Sequence, residues 1–183
     1  MRVISGSARG RRLKEIKIDT IQPTSDKVKE AIFTIIAFDI EGRRVLDLFA
    51  GTGQLGIEAI SRGAASVVFV DSSGDSVKLI NENLRHCNLS DTAAVYATDA
   101  LRYLEYDEKF DIIFVDAPYD TQLTSKALLK IIEFDKLNIN GIIICELKTG
   151  TIMPSITLPY ELKKEYKYGN TTLLKISRKE KFE

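Results

Sequence analysis

Long apolar runs are absent from this sequence of 183 residues and cysteine is scarce, and each absence excludes a class of protein. No stretch of about 18 consecutive apolar residues occurs, so we expect no membrane-spanning helix. The first residues also lack the long apolar segment of a secretory signal peptide. The two cysteines, Cys87 and Cys145, fit no metal-ligand spacing and are too few for a disulfide scaffold. We therefore expect two reduced, buried thiols, no metal centre and a cytoplasmic location.

Net charge is also lacking, because 26 basic and 26 acidic side chains balance, but the balance conceals an uneven distribution. Residues 1–17 hold six basic side chains and one acidic, whereas residues 45–160 hold nine basic and sixteen acidic. Residues 161–183 are basic again, with seven basic and four acidic side chains. Basic segments at both ends of an acidic body suit phosphate contacts, although such segments are also common as solvated surface.

The order of apolar and amphipathic segments predicts an α/β fold with one substantial core, which suits a hydrophobic fraction of 44%. Near-continuous apolar strands such as residues 112–115 predict a mostly parallel sheet between helix layers. Gly169 and Asn170 separate two β-rich segments, which predicts a terminal antiparallel hairpin. Strands are predicted at 45–48, 66–70, 93–97, 111–115, 141–147, 158–168 and 171–177, and helices near 54–62, 73–87, 99–106 and 122–132. This order predicts the Rossmann-like fold of a class I methyltransferase.

A small basic N-terminal extension is predicted to precede this core. Residues 3–5 and 13–18 read as short strands of a hairpin or arm. Thr24 and Ser25 are both suited to cap a following helix, whose apolar stripe includes Val28 and Ile32. We predict a single domain, 1–183, made of the extension (1–40) and a catalytic core (41–183).

A glycine-rich turn follows the first predicted strand of the core. Residues 45–53 read VLDLFAGTG, and residues 51–56, GTGQLG, have the glycine spacing of nucleotide-binding turns. Gly51 and Gly53 allow the backbone to approach a ligand closely, and Gly56 allows the next helix to pack against the strand. The pattern fits NAD as well as S-adenosylmethionine, so it predicts a nucleoside cofactor without choosing between them.

Acidic residues lie at the ends of the first three strands, and one of them, Asp47, favours S-adenosylmethionine over NAD. Asp47 stands where dinucleotide-binding folds usually have an apolar residue, and its carboxylate is suited either to a methionine amino group or to backbone N–H groups of the turn. Asp71 is placed to accept both ribose hydroxyls, and Asp99 either bonds the adenine amino group or caps a helix. The predicted cofactor contacts are Asp47, Phe49, Gly51, Gly53, Asp71, Ser72, Asp99 and Ala100.

The fourth predicted strand ends in Asp116, Ala117, Pro118 and Tyr119, which we predict to be the catalytic segment. An exocyclic base amine is a poor nucleophile because its lone pair is delocalised into the ring. The Asp116 carboxylate and the Ala117 carbonyl can accept its two N–H groups and direct the lone pair at a sulfonium methyl group. Pro118 stiffens the loop, and Tyr119 offers a face on which an extruded base can stack.

Together these motifs resemble the RsmD-type family of bacterial 16S ribosomal RNA guanine-N2 methyltransferases over nearly the whole chain. The matching segments are RVISG (2–6), GRRL (10–13), PTSDKVKEAIF (23–33), LDLFAGTG (46–53) and LGIEAISRG (55–63). The resemblance implies a monomeric enzyme that methylates the N2 amine of one guanine of the small ribosomal subunit, within an assembling particle. The predicted RNA contacts are Arg9, Arg11, Arg12, Lys14 and Lys27.

Two positions depart from the pattern of that family and leave other functions open. Gln22 replaces an arginine before Pro23, and Ala117 replaces a proline, which keeps the carbonyl but leaves a less rigid loop. A weakly active or inactive RNA-binding relative is therefore one alternative. The others are a DNA or protein-glutamine amino methyltransferase, which uses a related loop, and a nicotinamide oxidoreductase, which Asp47 and the terminal hairpin disfavour.

Overall fold

The computed structural model describes residues 1–15, 25–118 and 122–179. Five α-helices lie in these ranges: α1 (Asp26–Ile35), α2 (Gln54–Ser61), α3 (Gly74–Cys87), α4 (Ala100–Tyr103) and α5 (Leu123–Glu133). The strands are β1 (Arg44–Asp47), β2 (Ser66–Asp71), β3 (Ala93–Ala97), β4 (Phe110–Val115), β5 (Leu137–Lys148), β6 (Tyr160–Tyr168) and β7 (Thr171–Arg178). A short 3₁₀ helix, Ser90–Thr92, precedes β3.

All seven strands form one sheet in the order β3-β2-β1-β4-β5-β7-β6. The first five strands of the chain are parallel, and β7 pairs antiparallel with both β5 and β6. The β6–β7 hairpin turns at Gly169, whose φ of +61° suits glycine. This sheet confirms the predicted class I methyltransferase fold, mostly parallel with a terminal antiparallel hairpin.

Helices cover both faces of the sheet, which is why its strands are apolar on both sides. On one face α1, α2 and α3 bury residues such as Val28, Ile57 and Ile80. On the other face α4 and α5 bury residues such as Tyr103 and Ala127. Successive residues of β1 alternate between the two cores, as strand geometry requires. No helix in the described part of the chain is long and apolar enough to cross a membrane.

The N-terminal extension was predicted to be a small basic hairpin or arm, and its described residues pair antiparallel over a short length. Residues 1–15, which we call the basic arm, form one bridge between Arg2 and Arg12, and the Val3 and Leu13 amides donate to the Arg11 and Met1 carbonyls at 2.9 and 3.2 Å. The arm also packs its apolar residues into the first core, where Val3, Ala8 and Leu13 are buried. The second predicted strand, 13–18, extends beyond the described residues. The division into 1–40 and 41–183 stays a prediction.

Other helix and strand boundaries differ modestly from the predicted ones. Ser25 caps α1 by accepting the Val28 amide at 3.3 Å, whereas Thr24 lies outside the described residues. Helix α4 is shorter than the predicted 99–106, and β5 begins at Leu137 rather than 141. The unpredicted first part of β5 is irregular. Asn140 there has a φ of +60°, and the pairing with β4 shifts register near Phe110.

Replacing Gly56 with alanine should destabilise the fold, because α2 lies too close to β2 to admit a side chain there. A Cβ at Gly56 would come within 2.2 Å of the Phe69 ring and 2.9 Å of Val67. Overpacking of this kind costs about 1–3 kcal/mol. The matched control is Gly74→Ala, where nothing lies within 4 Å of the added carbon. Urea unfolding should show a loss for Gly56→Ala and little change or a small gain for the control.

Candidate functional site

The candidate site lies at the carboxyl ends of four adjacent parallel strands, β3, β2, β1 and β4. Residues that follow parallel strands meet at one edge of the sheet, where open α/β folds bind ligands. Three acidic residues predicted from the sequence, Asp47, Asp71 and Asp116, end or follow these strands. We call this region the carboxyl edge.

The glycine-rich turn joins β1 to α2 at the carboxyl edge. The Leu48 and Ala50 amides donate to carbonyls of β4 and β2, so the turn begins as an extension of the sheet. Gly51 and Gly53 then adopt φ values of +53° and +78°, which glycine tolerates and other residues avoid. A Cβ at Gly51 would meet nothing within 4 Å, so the turn leaves open space in front of its backbone.

Asp47 is the buried carboxylate that fixes this turn. Its Oδ2 accepts the Gly56 amide at 2.9 Å. Gly53, the N-cap of α2, has no side chain, so Asp47 supplies from β1 the acceptor that a capping residue normally supplies. Burial raises the pKa of Asp47 to about 7, the Gly56 hydrogen bond opposes that rise, and the nearby Asp71 carboxylate adds to it. Asp47 therefore holds the turn, and its contact with a cofactor stays a prediction.

Asp71 and Asp99 occupy the neighbouring strand ends. Asp71 Oδ2 accepts the Gly51 amide and Oδ1 accepts the Ser73 amide, each at 2.8 Å. Asp99 caps α4, with Oδ1 accepting the Arg102 amide at 3.0 Å. Each carboxylate oxygen has two lone pairs, so both residues keep the capacity to accept hydroxyl or amine donors from a ligand. Of the other predicted contacts, Ser72 is exposed, Phe49 half-buried and Ala100 buried.

The catalytic segment follows β4 directly, next to the glycine-rich turn. Val115 is the last residue of β4, Asp116 is half-buried, Ala117 is buried and Pro118 is exposed. Since β1 and β4 are paired neighbours, Asp116 lies one strand away from the end of β1. Tyr119 falls outside the described residues, so its stacking role stays a prediction.

The basic arm is attached to α2 by a buried carboxylate that the sequence analysis did not assign. Glu58 is fully buried and accepts the amides of Ile4 at 2.7 Å and Ser5 at 3.0 Å. Its Oε1 also pairs with Arg62 Nε at 2.7 Å. Buried Lys29 donates from α1 to the Arg2 carbonyl at 2.6 Å, and burial lowers the pKa of Lys29. Charged groups of two helices thus hold the arm.

The five predicted RNA-binding residues are all exposed, but the structure places them in different surroundings. Arg11 donates to the His86 carbonyl at 2.5 Å, and Lys14 pairs with Glu82 at 2.9 Å, so both anchor the arm to α3. Arg9 and Arg12 project from the arm itself, and Lys27 lies in the first turn of α1. Of the predicted RNA contacts on the arm, Arg9 and Arg12 are therefore the two that do not anchor it to α3, which leaves them placed to meet a phosphate.

The residues at the carboxyl edge fit a nucleoside cofactor that carries an amino acid. Open space lies in front of Gly51, acceptors for ribose and amine donors stand at Asp71 and Asp99, and the buried Asp47 carboxylate lies beneath the turn. The site thus offers hydrogen-bond acceptors and lets a ligand approach the backbone closely. Its acidic side chains disfavour a ligand that carries phosphate groups.

Sequence reasoning missed Glu58, Lys29 and Asn83, three polar residues with no exposed surface. Glu58 stands between Ile57 and Ala59 in a helix whose every residue is buried, so a charged residue in an apolar helix was the available signal. Asn83 carried no comparable signal, because α3 has a polar face and an asparagine fits its pattern. Its buried position depends on where the arm lies, which patterning does not predict.

Comparison with known proteins adds a family and several relatives. The family described as Conserved hypothetical protein 95 (Cons_hypoth95) matches residues 1–177. The chain is 40% identical over 175 residues to the Bacillus subtilis protein named "Putative rRNA methyltransferase YlbH", covering 93% of this chain and 95% of that protein. It is 33% identical over 150 residues to the Haemophilus influenzae "Ribosomal RNA small subunit methyltransferase D", covering 80% and 78% respectively.

Two solved structures share this fold over most of the chain. "Putative methyltransferase yhhF from Escherichia coli" superimposes with a TM-score of 0.88 at 27% identity, covering 98% of both chains. An RNA methyltransferase from Salinibacter ruber, solved in complex with S-adenosyl-L-homocysteine, has a TM-score of 0.69 at 16% identity, covering 88% of this chain and 97% of that one. The second likeness shows a shared fold.

Replacing Asp47 with asparagine should remove a pH-dependent loss of stability. The pKa of about 7 exceeds the ordinary 3.8, so the folded state holds a proton that the unfolded state has lost between those values. The wild-type free energy of unfolding should therefore fall as pH rises through this window. Asp47→Asn keeps an oxygen for the Gly56 amide and should gain about 2–4 kcal/mol on wild type across it.

Urea unfolding of both proteins at several pH values between about 4 and 8 measures this difference, and contributions from other titrating groups cancel in the comparison. A difference that stays constant with pH would show that Asp47 is ionised in the folded protein throughout the range.

Proposed function

The chain belongs to the Conserved hypothetical protein 95 family, and from that premise we propose that it methylates the exocyclic N2 amine of a guanine in 16S ribosomal RNA. The substrate is the small ribosomal subunit or its assembly intermediate, and the methyl donor is S-adenosylmethionine. The observation that carries the proposal is the adjacency, at one sheet edge, of an acid-lined glycine turn after β1 and an Asp-Ala-Pro segment after β4.

The cofactor assignment is supported by the acceptors at the carboxyl edge. Asp71 receives the ribose hydroxyls, Asp99 and the adjoining backbone of Ala100 receive the adenine, and Asp47 receives the methionine amine directly or through water. Gly51 and Gly53 admit the ligand close to the backbone. The Salinibacter ruber protein, which shares this fold, was solved with the product of such a cofactor. When bound, S-adenosylmethionine supplies a methyl group on a sulfonium, an electrophile that needs no metal or covalent intermediate.

The residues after β4 then act on the guanine. Asp116 and the Ala117 carbonyl accept the two N–H groups of the N2 amine, which makes the nitrogen more tetrahedral and directs its lone pair. After transfer the nitrogen carries an excess proton, which passes to Asp116 or to water. Pro118 limits movement of the segment, and Tyr119 stacks on the base. These residues contribute position and electrostatics, and the bond broken belongs to the cofactor.

The substrate assignment is supported by the basic arm and by the relatives. Two of them are named as ribosomal RNA methyltransferases, one of the small subunit. An exposed basic arm suits the phosphates of structured RNA. Ala117 and Gln22 favour one second candidate, an RNA-binding relative with little or no turnover. That candidate shares the binding predictions and differs in catalysis.

Methyl transfer from labelled S-adenosylmethionine to small subunits that lack base modifications tests the proposal, with free RNA and DNA assayed alongside. We expect label in the small-subunit RNA, at a guanine N2. Isothermal titration should show binding of S-adenosylhomocysteine and none of NAD. Binding without transfer would support the inactive relative, and NAD binding without a response to S-adenosylhomocysteine would overturn the cofactor assignment.

Replacing Asp116 with alanine should abolish most transfer and leave cofactor binding nearly intact, because Asp116 serves the base. The loss of one positioning acceptor costs roughly 3 kcal/mol, about a hundredfold in rate. The matched control is Asp91→Ala, an exposed acid in the Ser90–Thr92 turn. Single-turnover rates and S-adenosylhomocysteine titration separate the two effects. A variant that transfers at the wild-type rate would remove Asp116 from the mechanism.

Replacing Arg9 and Arg12 together with alanine should weaken binding to small subunits and flatten its dependence on salt. Each lost phosphate contact lowers the log–log slope by up to about one unit. Lys126→Ala is the control, because Lys126 is exposed on α5, on the opposite face of the sheet from the arm. An unchanged slope in the double variant would assign these arginines to ordinary solvated surface.

A further inference from the structure

Asn83, in the middle of α3, connects the basic arm to the glycine-rich turn. Its side chain has no exposed surface, although it is polar. Its Oδ1 accepts the Lys14 amide of the arm at 2.8 Å. Its Nδ2 donates to the Lys14 carbonyl and to the Thr52 carbonyl, both at 3.2 Å. One amide group therefore bonds two segments that are 38 residues apart in the chain.

These three hydrogen bonds make the position of Lys14 and the position of Thr52 depend on each other. Asparagine has two N–H donors, and both are used here, one for each segment. A buried polar group that loses a partner is destabilising, because the loss of its hydration is no longer offset. A displacement of Lys14 therefore leaves Asn83 unsatisfied unless its side chain moves, and such a movement releases the Thr52 carbonyl. Thr52 lies between Gly51 and Gly53, within the glycine-rich turn.

Two further contacts attach the arm, one to the glycine-rich turn and one to α3. The Thr52 hydroxyl donates to Met1 Sδ of the arm at 3.6 Å. Lys14 Nζ pairs with Glu82, the residue that precedes Asn83 in α3. The arm is thus attached both to the turn and to the helix that supports the turn. Contacts that stabilise the arm therefore reach Thr52 through the buried side chain of Asn83.

We propose that Asn83 is a positioning residue that couples the basic arm to the glycine-rich turn, so that RNA and cofactor bind cooperatively. The inference rests on the proposed function and adds to it a connection between its two binding events. RNA phosphates held by Arg9 and Arg12 stabilise the arm in the arrangement seen here, in which Lys14 bonds Asn83, and Asn83 in turn holds Thr52 and the glycine-rich turn. The cofactor accordingly meets a lower ordering cost once RNA is bound.

Coupling of this kind is reciprocal, which gives the experiment an internal check. The factor by which small subunits tighten the binding of S-adenosylhomocysteine must equal the factor by which S-adenosylhomocysteine tightens the binding of small subunits. We expect a factor of about 5–20 for the wild-type protein, within the usual range for coupled sites. Both factors are measured with small subunits lacking base modifications, by equilibrium dialysis of labelled S-adenosylhomocysteine and by filter binding of the particles.

Asn83→Ala is the test variant and Asn81→Ala its matched control. Asn81 lies two residues earlier in α3, and its Nδ2 donates to Val77 of the same helix at 2.8 Å. Loss of Asn81 should leave the coupling factor at its wild-type value. Loss of Asn83 should bring the factor close to one, while each ligand alone still binds. Asn83→Asp keeps an acceptor for the Lys14 amide but lacks the donors, so it should also lose most of the coupling.

The outcomes separate this inference from the proposed function. If wild-type protein binds neither ligand, the proposed function fails. If it binds both ligands with a coupling factor of one, or if Asn83→Ala and Asn83→Asp keep the wild-type factor, the inference is overturned while the function stands. Because the wild-type factor is measured without any substitution, a variant that unfolds does not remove the test. Equal loss of coupling in Asn81→Ala would also overturn it, since the effect would then belong to α3 in general.

Discussion

The hydrogen bond from the Gly56 amide to the Asp47 carboxylate is the interaction on which the candidate site depends. Helix α2 must begin immediately after a turn of positive-φ glycines, so its first residues cannot bring a capping side chain of their own. Asp47 supplies the missing acceptor from the neighbouring strand at 2.9 Å. This arrangement buries the Asp47 carboxyl, which raises its pKa. It also leaves open space in front of the Gly51 backbone.

A second buried carboxylate, Glu58 of α2 itself, attaches the arm to this helix. Glu58 accepts hydrogen bonds from two arm amides and from the Arg62 side chain. Asp47 thus orients the start of α2 towards the strands, and Glu58 fixes the arm to the middle of α2. One short helix positions both the turn and the arm.

The fold could be predicted from the sequence to a large extent because its causes are local or periodic. Apolar runs such as residues 112–115 indicate strands buried on both faces, and Gly169 with Asn170 indicates a hairpin. The course of the arm could not be predicted in this way. Val3 and Leu13 look like strand residues, and their amides do donate to carbonyls within the arm. The neighbouring backbone groups of Arg2, Ile4 and Lys14, however, are bound by side chains of α1, α2 and α3 that lie far away in sequence. The dual bonding of Asn83 has the same cause, since a polar residue on a polar helix face becomes buried only when another segment covers it.

Although the net charge of the protein is zero, the acidic and basic residues lie on different surfaces, and this separation accounts for the basic arm. Asp47, Asp71, Asp99 and Asp116 end or follow the strands of the carboxyl edge, and such a cluster repels the phosphates of any nucleic acid that approaches it. The acids are nevertheless required if the ligands are an amine, a ribose and a base, since each presents N–H or O–H donors. Attraction of the backbone and recognition of the base therefore have to be assigned to different surfaces. Under the proposed function the basic arm would serve the first and the acidic edge the second, and α2 and α3 connect the two surfaces.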